Sequence, residues 1–296
     1  MPNTQSPSTD EYLRRICRAV DYINAHLAEM PSVGEIADSA SFSSFHFQRL
    51  FRAIVGETVA EFTRRVRLEA AARHLIYGAK DDITGLAMEL GFSSSQNFAK
   101  AFKQHFGVSP SQYRDSHAGA PASSHEQAAA FSWPQPLKFE GQVVVRSLPT
   151  QRVAYRRHFG SYHDPEVQAG FEELERWAIA RSLHADDHYL GIPWDDAEIT
   201  PEQKCRFDAC LLVAEDTWLG VGVNSQIIPA GKYATFRTII IGHDFDLPWT
   251  QLMRSWLPTS GYQPADGPRF ERYYSDGSHD PEGRWDLEVC LPVRPL

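Results

Sequence analysis

Residues 92–102 read FSSSQNFAKAF, and residues 42–51 read FSSFHFQRLF. Each stretch has an aromatic residue, then serines of the kind that cap helices, then an amphipathic run. The likeness extends on both sides. Ile36, Ala37, Phe42, Ser43 and Ser44 recur as Leu86, Ala87, Phe92, Ser93 and Ser94. After one inserted residue, Phe51, Arg52, Gly56 and Phe62 recur as Phe102, Lys103, Gly107 and Tyr113. Each copy predicts a helix, a tight turn and a second helix. That is the helix-turn-helix, whose second helix enters the DNA major groove.

Working outward, apolar residues at Leu13, Ile16, Cys17, Val20, Ile23 and Leu27 predict a helix over 10–28. A second starts near Ser32. A third, capped by Ser43 or Ser44, carries Phe47, Leu50, Phe51 and Ile54 on one face and ends at Gly56. Thr58 opens a long helix to about Tyr77, closed by Gly78. The pattern then returns through Gly91, Ser93 or Ser94, and Gly107, and Ser109-Pro110 opens a last short helix. A helix of about 17–20 residues is about 26–30 Å long. Residues 58–77 therefore hold two reading helices about one DNA turn, ~34 Å, apart.

The chain has 296 residues, 29 Lys+Arg and 38 Asp+Glu, for a net charge of −9. The charge is uneven. Residues 1–115 carry 13 basic and 13 acidic residues, so the remaining 16 basic and 25 acidic hold the whole surplus. Residues 41–114 alone carry 10 basic and 6 acidic. A locally basic half beside an acidic one fits a nucleic-acid module joined to something else. Residues 116–136, SHAGAPASSHEQAAAFSWPQP, are poor in apolar side chains and read as a linker. No apolar run nears the roughly 20 residues needed to span a bilayer. The start, MPNTQSPSTDEY, has no signal pattern, so a cytoplasmic protein without a membrane partner is expected. Cys17, Cys205, Cys210 and Cys290 form no CxxC pair and are expected as buried small hydrophobes. No metal or cofactor motif is present in the sequence.

Residues 10–115 resemble the two-helix-turn-helix DNA-binding domain of AraC/XylS-type transcription regulators, an all-α, homeodomain-like unit. The match rests on SVGEIADSASFSSFHFQRLFRAIVGETVAEFTRRVRLEAAARHL and on ITGLAMELGFSSSQNFAKAFKQHFGVSPSQYR, which keeps the spacing GF, polar stretch, F, then F-K-x-x-F-G-x-[ST]-P-x-x-[YF]-R. Ser41 stands where the first unit often has glycine. The resemblance implies that Phe45, Gln48 and Arg49 point into one groove and Ser95, Gln96, Asn97 and Lys100 into the next. Arg pairs bidentately with guanine, and Gln or Asn with adenine. Arg52, Lys103 and the Arg64, Arg65 and Arg67 group are expected as phosphate contacts or solvated charge. Double-stranded DNA is the implied partner, with RNA polymerase a candidate second.

Residues 137–296 read differently. VVVRSLPTQRVAYRRHF gives two strands, PEVQAGFEELERWAIARSL a helix, and HYLGIPW and RFDACLLVA two more strands. A similar order recurs as GKYATFRTII, a helix around PWTQLMRSWLP, RFERYYS and WDLEVCLPVRP, at an offset near 81. This predicts an α+β domain with a pseudo-twofold repeat and a cleft for a small molecule.

This half resembles the gyrase-inhibitor-like domain, also called the bacterial transcription-activator effector-binding domain. The matching pieces are VAYRRHFGSY, PAGKYATFRT, FERYYSD and LEVCLPV. The resemblance implies a small-molecule effector, cationic or hydrophobic, bound by a carboxylate among aromatic rings. Glu271 is the first candidate for that carboxylate and Glu288 the second. Candidate walls are Tyr155, Phe159, Phe171, Trp177, Trp194, Phe236, Trp256 and Tyr273. Ring faces attract a cation by roughly 0.5–2 kcal/mol each. The alternative is hydrolysis of a small molecule with Glu271 as general base.

Overall fold

A computed structural model describes residues 7–77, 82–117, 141–183, 189–277 and 280–296. The chain divides into two compact units, Met1–Ser132 and Trp133–Leu296. Gly78 and residues 118–136 of the expected linker lie outside the described residues. Ser116 and His117 close the last helix of the first unit.

The first unit is helical throughout its described part: α1 (Pro7–Ala25), α2 (Val33–Ser39), α3 (Ser44–Val55), α4 (Val59–Tyr77), α5 (Ile83–Glu89), α6 (Ser95–Phe106) and α7 (Pro110–His117). Polar side chains start most of them. Ser32 and Glu35 form a reciprocal capping box at α2, as do Thr58 and Glu61 at α4 and Ser109 and Gln112 at α7. Asp82 caps α5, and Ser94 accepts from the backbone N–H of Asn97 at α6. Ser43 has N-cap backbone geometry but makes no such side-chain bond. Gly56 and Gly107 end α3 and α6 in the left-handed conformation. Phe47, Phe51, Phe62, Phe98 and Phe102 are fully buried. Each such ring stabilises the fold by roughly 1.5–3 kcal/mol.

One expectation is corrected. Arg65 and Arg67 are not solvated or phosphate-facing; both are buried. Arg65 donates to Glu57 Oε1 and Glu69 Oε2, an ion-paired cluster inside the unit. Arg67 Nε donates to the Leu90 carbonyl at 2.6 Å, and its guanidinium lies over the Phe92 ring at 4.4 Å. The first copy repeats this device. Arg15 Nε donates to Ala40 O at 2.8 Å and lies over Phe42 at 3.8 Å. In each copy the helix before the pair thus clamps the turn inside it. Arg64 is exposed and donates to Gln104.

Among its described residues the second unit has one nine-stranded antiparallel sheet. Its strands are β1 (Val144–Leu148), β2 (Gln151–Phe159), β3 (Tyr189–Pro193), β4 (Arg206–Val213), β5 (Asn224–Ile228), β6 (Gly231–Ile241), β7 (Tyr262–Pro264), β8 (Phe270–Tyr273) and β9 (Arg284–Pro295). Their order is β1-β6-β9-β8-β3-β4-β2-β5, with β7 on β9. Helix α8 (Pro165–Ile179) packs on β2 and β4 through Leu174, Trp177 and Ala178. Helix α9 (Asp246–Gln251) runs on into a π turn at Leu252–Trp256, and it packs through Trp249 and Leu252 against β6 and β9 residues such as Phe236, Leu287 and Val289. Strands β5 and β7 carry weak apolar patterns and escape the sequence reading.

The registers show the repeat directly. Arg157 pairs with Asp208, and Arg237 with Glu288; Gly191 pairs with Ala209, and Glu271 with Val289. Each pair maps on its counterpart by a shift of 80 residues (157 to 237, 208 to 288), which replaces the expected offset near 81. The short β1 pairs with β6 of the later copy, and β5 pairs with β2 of the earlier one. The two copies thus exchange edge strands. They meet at β3 and β8, where Gly191 pairs with Glu271. The shift maps this pair on itself, so the pseudo-twofold axis passes through it.

The turns of the first unit make a paired prediction. Ser41 has φ 57° and Gly91 φ 71°, both left-handed. A Cβ on Gly91 would also lie 2.5 Å from the Ala28 carbonyl oxygen. Ser41→Gly should stabilise the first unit by about 0.5–1 kcal/mol, and Gly91→Ala should cost about 2 kcal/mol or more. Denaturant unfolding of both variants checks this; effects of the same sign would contradict it.

Candidate functional site

Strand alternation sorts the candidate residues by face. Glu271 and Tyr273 lie on the helix-covered face of β8, while Phe270 and Arg272 lie on the other. Glu271 is 4% exposed. Its Oε1 accepts from Trp249 Nε1 at 2.6 Å, and its Oε2 accepts from the Tyr273 hydroxyl at 2.5 Å. Trp249 comes from α9. The Tyr273 ring meets Phe171 of α8 edge-on at 5.6 Å. Phe245 and Trp285 stand 6.3 and 6.1 Å from the Tyr273 ring. The carboxyl therefore sits on the axis between contributions from both helices.

Across the strand pair, Gly191 has no side chain to fill that space. A Cβ there would lie 2.5 Å from the Tyr273 hydroxyl oxygen and 2.6 Å from Phe207 Cζ. Arg269 braces the end of β8. Its Nη2 donates to the Asp195 carbonyl at 2.7 Å, and its guanidinium lies over Trp249 at 5.3 Å.

Burial raises the Glu271 pKa above the ordinary carboxylate value. The hydrogen bonds from Tyr273 and Trp249, and then the Arg269 charge, pull it back in part. Burial, followed by the Glu271 charge, holds the Tyr273 phenol well above its usual range. The arrangement offers a dehydrated carboxyl with ring edges and faces around it. A cation brought there favours the ionised form, and a proton the neutral one.

Of the expected ligand residues, Glu271, Phe171 and Tyr273 come together. Glu288 does not join them. It lies on the opposite face of the sheet, bonded to Arg146 and Tyr274, because it pairs with Arg272 rather than Glu271. Tyr155 and Trp194 also face that side; Arg157 lies near both rings, and Trp194 Nε1 donates to Asp208. Phe159 shares the strand parity of Tyr155, so it too belongs to that side. Trp177 is core beneath α8, with Arg181 over it. Phe236 packs with Trp249 in the core under α9, and Trp256 stacks on Tyr262 beside it. Trp249, Arg269 and Gly191 were missed. An alignment of YLGIP with RFERY, a shift of 80, sets Gly191 against Glu271; a shift of 81 sets it against Arg272 and hides the axis.

In the first unit, Gln48, Arg49 and Arg52 on α3 and Gln96, Asn97, Lys100 and Lys103 on α6 are exposed, and Ser95 is half-buried. The side chain of Phe45 lies outside what is described. Asn97 Nδ2 donates to Ser93 Oγ at 2.7 Å. The N-cap positions Ser43 and Ser94 correspond at a shift of 51, not 50, so Ser93 is not the counterpart of Ser43 but the extra residue of the second copy.

Comparison with known proteins agrees with this division. Residues 141–294, just over half of the chain, match the GyrI-like small-molecule-binding domain, and residues 36–116 match a helix-turn-helix domain. A DNA gyrase inhibitor of Escherichia fergusonii is 35% identical over 132 residues, 44% of this chain and 83% of its own. One from Yersinia enterocolitica is 32% identical over 154 residues, 51% of this chain and 95% of its own. Among solved structures, an AraC-type transcriptional regulator of Chromobacterium violaceum is 26% identical, with a TM-score of 0.34, over 35% of this chain and 92% of that one.

The raised Glu271 pKa gives a signed prediction. A carboxyl whose folded pKa lies above its unfolded value contributes stability below the unfolded pKa, near 4.5, and loses it as pH rises through the folded value. Glu271→Gln keeps the acceptor for Trp249 and removes the charge. The melting temperature of the variant relative to wild type should therefore climb from about pH 4.5 towards neutrality. A difference independent of pH would contradict the assignment.

Proposed function

The chain belongs to the GyrI-like small-molecule-binding family, and from that premise we propose a cytoplasmic transcription regulator in which this domain senses a cationic or hydrophobic small molecule. Its other half is an AraC-type helix-turn-helix region. The observation that carries the sensing is Glu271, buried between Trp249 and Tyr273 with Phe171 beside them. Such a carboxylate attracts a desolvated cation more strongly than an exposed one, because the closed surroundings screen less. The rings supply shape and cation–π attraction.

On the DNA side, α3 and α6 read successive major grooves. Arg49 and Gln48, with Phe45, serve the first; Gln96, Asn97, Ser95 and Lys100 serve the second. Arg52 and Lys103 hold phosphates. One chain spans both grooves, so a monomer suffices for an asymmetric site. A second reading, hydrolysis at the same carboxyl, is favoured by one observation: burial makes Glu271 more basic than an ordinary carboxylate, the direction a general base needs.

Two experiments test these readings. In calorimetry, Glu271→Gln should weaken lipophilic cations by about tenfold or more and leave neutral aromatics nearly unchanged. Equal loss for both classes would remove Glu271 from the site. Consumption of a compound by wild type alone would favour the enzyme. In footprinting, Arg49→Ala should relax preference in one part of the operator and Asn97→Ala in a part about one turn away, each by roughly 1–3 kcal/mol. Protection of a single groove would overturn the two-groove reading.

A further inference from the structure

The repeat provides an internal control for the sheet face opposite Glu271. In the first copy that face carries a closed, neutral network. Arg157 donates through Nε and Nη2 to both oxygens of Asp208, at 2.6 and 2.7 Å. Trp194 Nε1 and Gln226 Nε2 donate to the same carboxylate at 2.7 and 2.8 Å. The ion pair has no exposed side-chain surface. One positive charge meets one negative charge.

A shift of 80 residues puts other side chains in the same places. Glu288 replaces Asp208, Tyr274 replaces Trp194, Arg146 replaces Gln226, and Arg272 replaces Ile192. The arginine that should close the network, Arg237, turns instead to Asp286 in a two-bond pair. Glu288 is left with Arg146 Nη2 at 2.5 Å, the Tyr274 hydroxyl at 3.2 Å and Arg272 Nη1 at 3.7 Å, all at Oε2. Two guanidiniums therefore share one carboxylate oxygen, and the group carries a net positive charge. Arg146 is 40% and Arg272 18% exposed, so the surplus charge is open to solvent. The Nε of each arginine is nevertheless buried and has no hydrogen-bond partner among the described residues. Buried donors in native proteins are almost always satisfied.

We propose that this face of the second copy binds a small oxyanion, the carboxylate or phosphate of a metabolite, held by Arg146 and Arg272 beside Tyr274. Guanidinium donors favour such oxyanions through short, charge-assisted bonds. Glu288 holds the two arginines in place and competes with the anion for them. The position is separate from the Glu271 site, since the sheet lies between them.

The arginine Nε–H resonances of the full chain, followed by NMR during titration, read the site directly. Inorganic phosphate and acetate are the probes, with chloride at equal ionic strength as the control. Movement of the Arg146 and Arg272 signals with either probe beyond chloride supports the site; phosphate alone marks a preference for a dianion, and both probes an oxyanion site without such a preference. The double variant Arg146→Gln with Arg272→Ile writes the first copy's residues into the second. It should weaken probe binding, followed by calorimetry, by about tenfold or more. Glu288→Gln removes the competing charge and should tighten it several-fold. Signals that move no more than with chloride, unchanged affinity in the double variant, or weaker binding in Glu288→Gln would each overturn the proposal.

Discussion

The antiparallel pairing of Gly191 with Glu271 is the constraint on which the second unit depends. Two copies of strand, helix, strand, strand meet there, and each lends an edge strand to the other. A residue on a pseudo-twofold axis faces its own counterpart. Two side chains pointing into that point would collide, so the repeat has one glycine and one carboxyl there. The Tyr273 hydroxyl and the Phe207 ring take the space that Gly191 leaves, and that hydroxyl donates to Glu271. A buried carboxyl is costly to ionise without partners. Trp249 and Tyr273 supply two donors, which hold the group in one orientation and leave its charge sensitive to what approaches.

The first unit solves a different problem with the same economy of parts. Each helix-turn-helix needs its turn fixed so that its second helix projects at a constant angle. Arg15 and Arg67 do this from the preceding helices, each bonded to a turn carbonyl and laid over a phenylalanine. The copies then differ at the start of the second helix. Ser93 accepts from the Asn97 side chain in one copy, and in the other no residue stands between Phe42 and the Ser43 N-cap. The sequence changes at surfaces while the clamps persist.

Periodicity and caps made the helices legible, because Ser32, Thr58, Asp82, Ser94 and Ser109 act locally. Strands β2, β6 and β9 were legible through their apolar residues. β5, with Asn224 and Gln226, was not, since its place is set by pairing with β2 rather than by its own pattern. Arg65 and Arg67 read as surface charge; only tertiary structure reveals the carboxylates and the carbonyl that receive them. FERYY points to Glu271, and Tyr273 and Phe171 were expected beside it, but Trp249 and Gly191 were not. Trp249 is a helix residue more than 20 positions away in the chain, and Gly191 acquires meaning only from a shift that is right to the residue. Glu288 does not join Glu271 for an elementary reason: its strand parity puts it on the opposite face of the sheet, beside Arg146.

The proposal that Glu271 is the carboxyl a bound cation meets has a direct test, because a carboxyl with a raised pKa that ionises against a cation must give up its proton. Calorimetry of a lipophilic cation in two buffers of different ionisation heat, across about pH 5 to 7, counts the protons released on binding. Wild type should release protons in a pH-dependent fraction that falls as the free carboxyl becomes ionised, and Glu271→Gln should release none. Equal proton release from both proteins, or none from either at any pH in that range, would contradict the account.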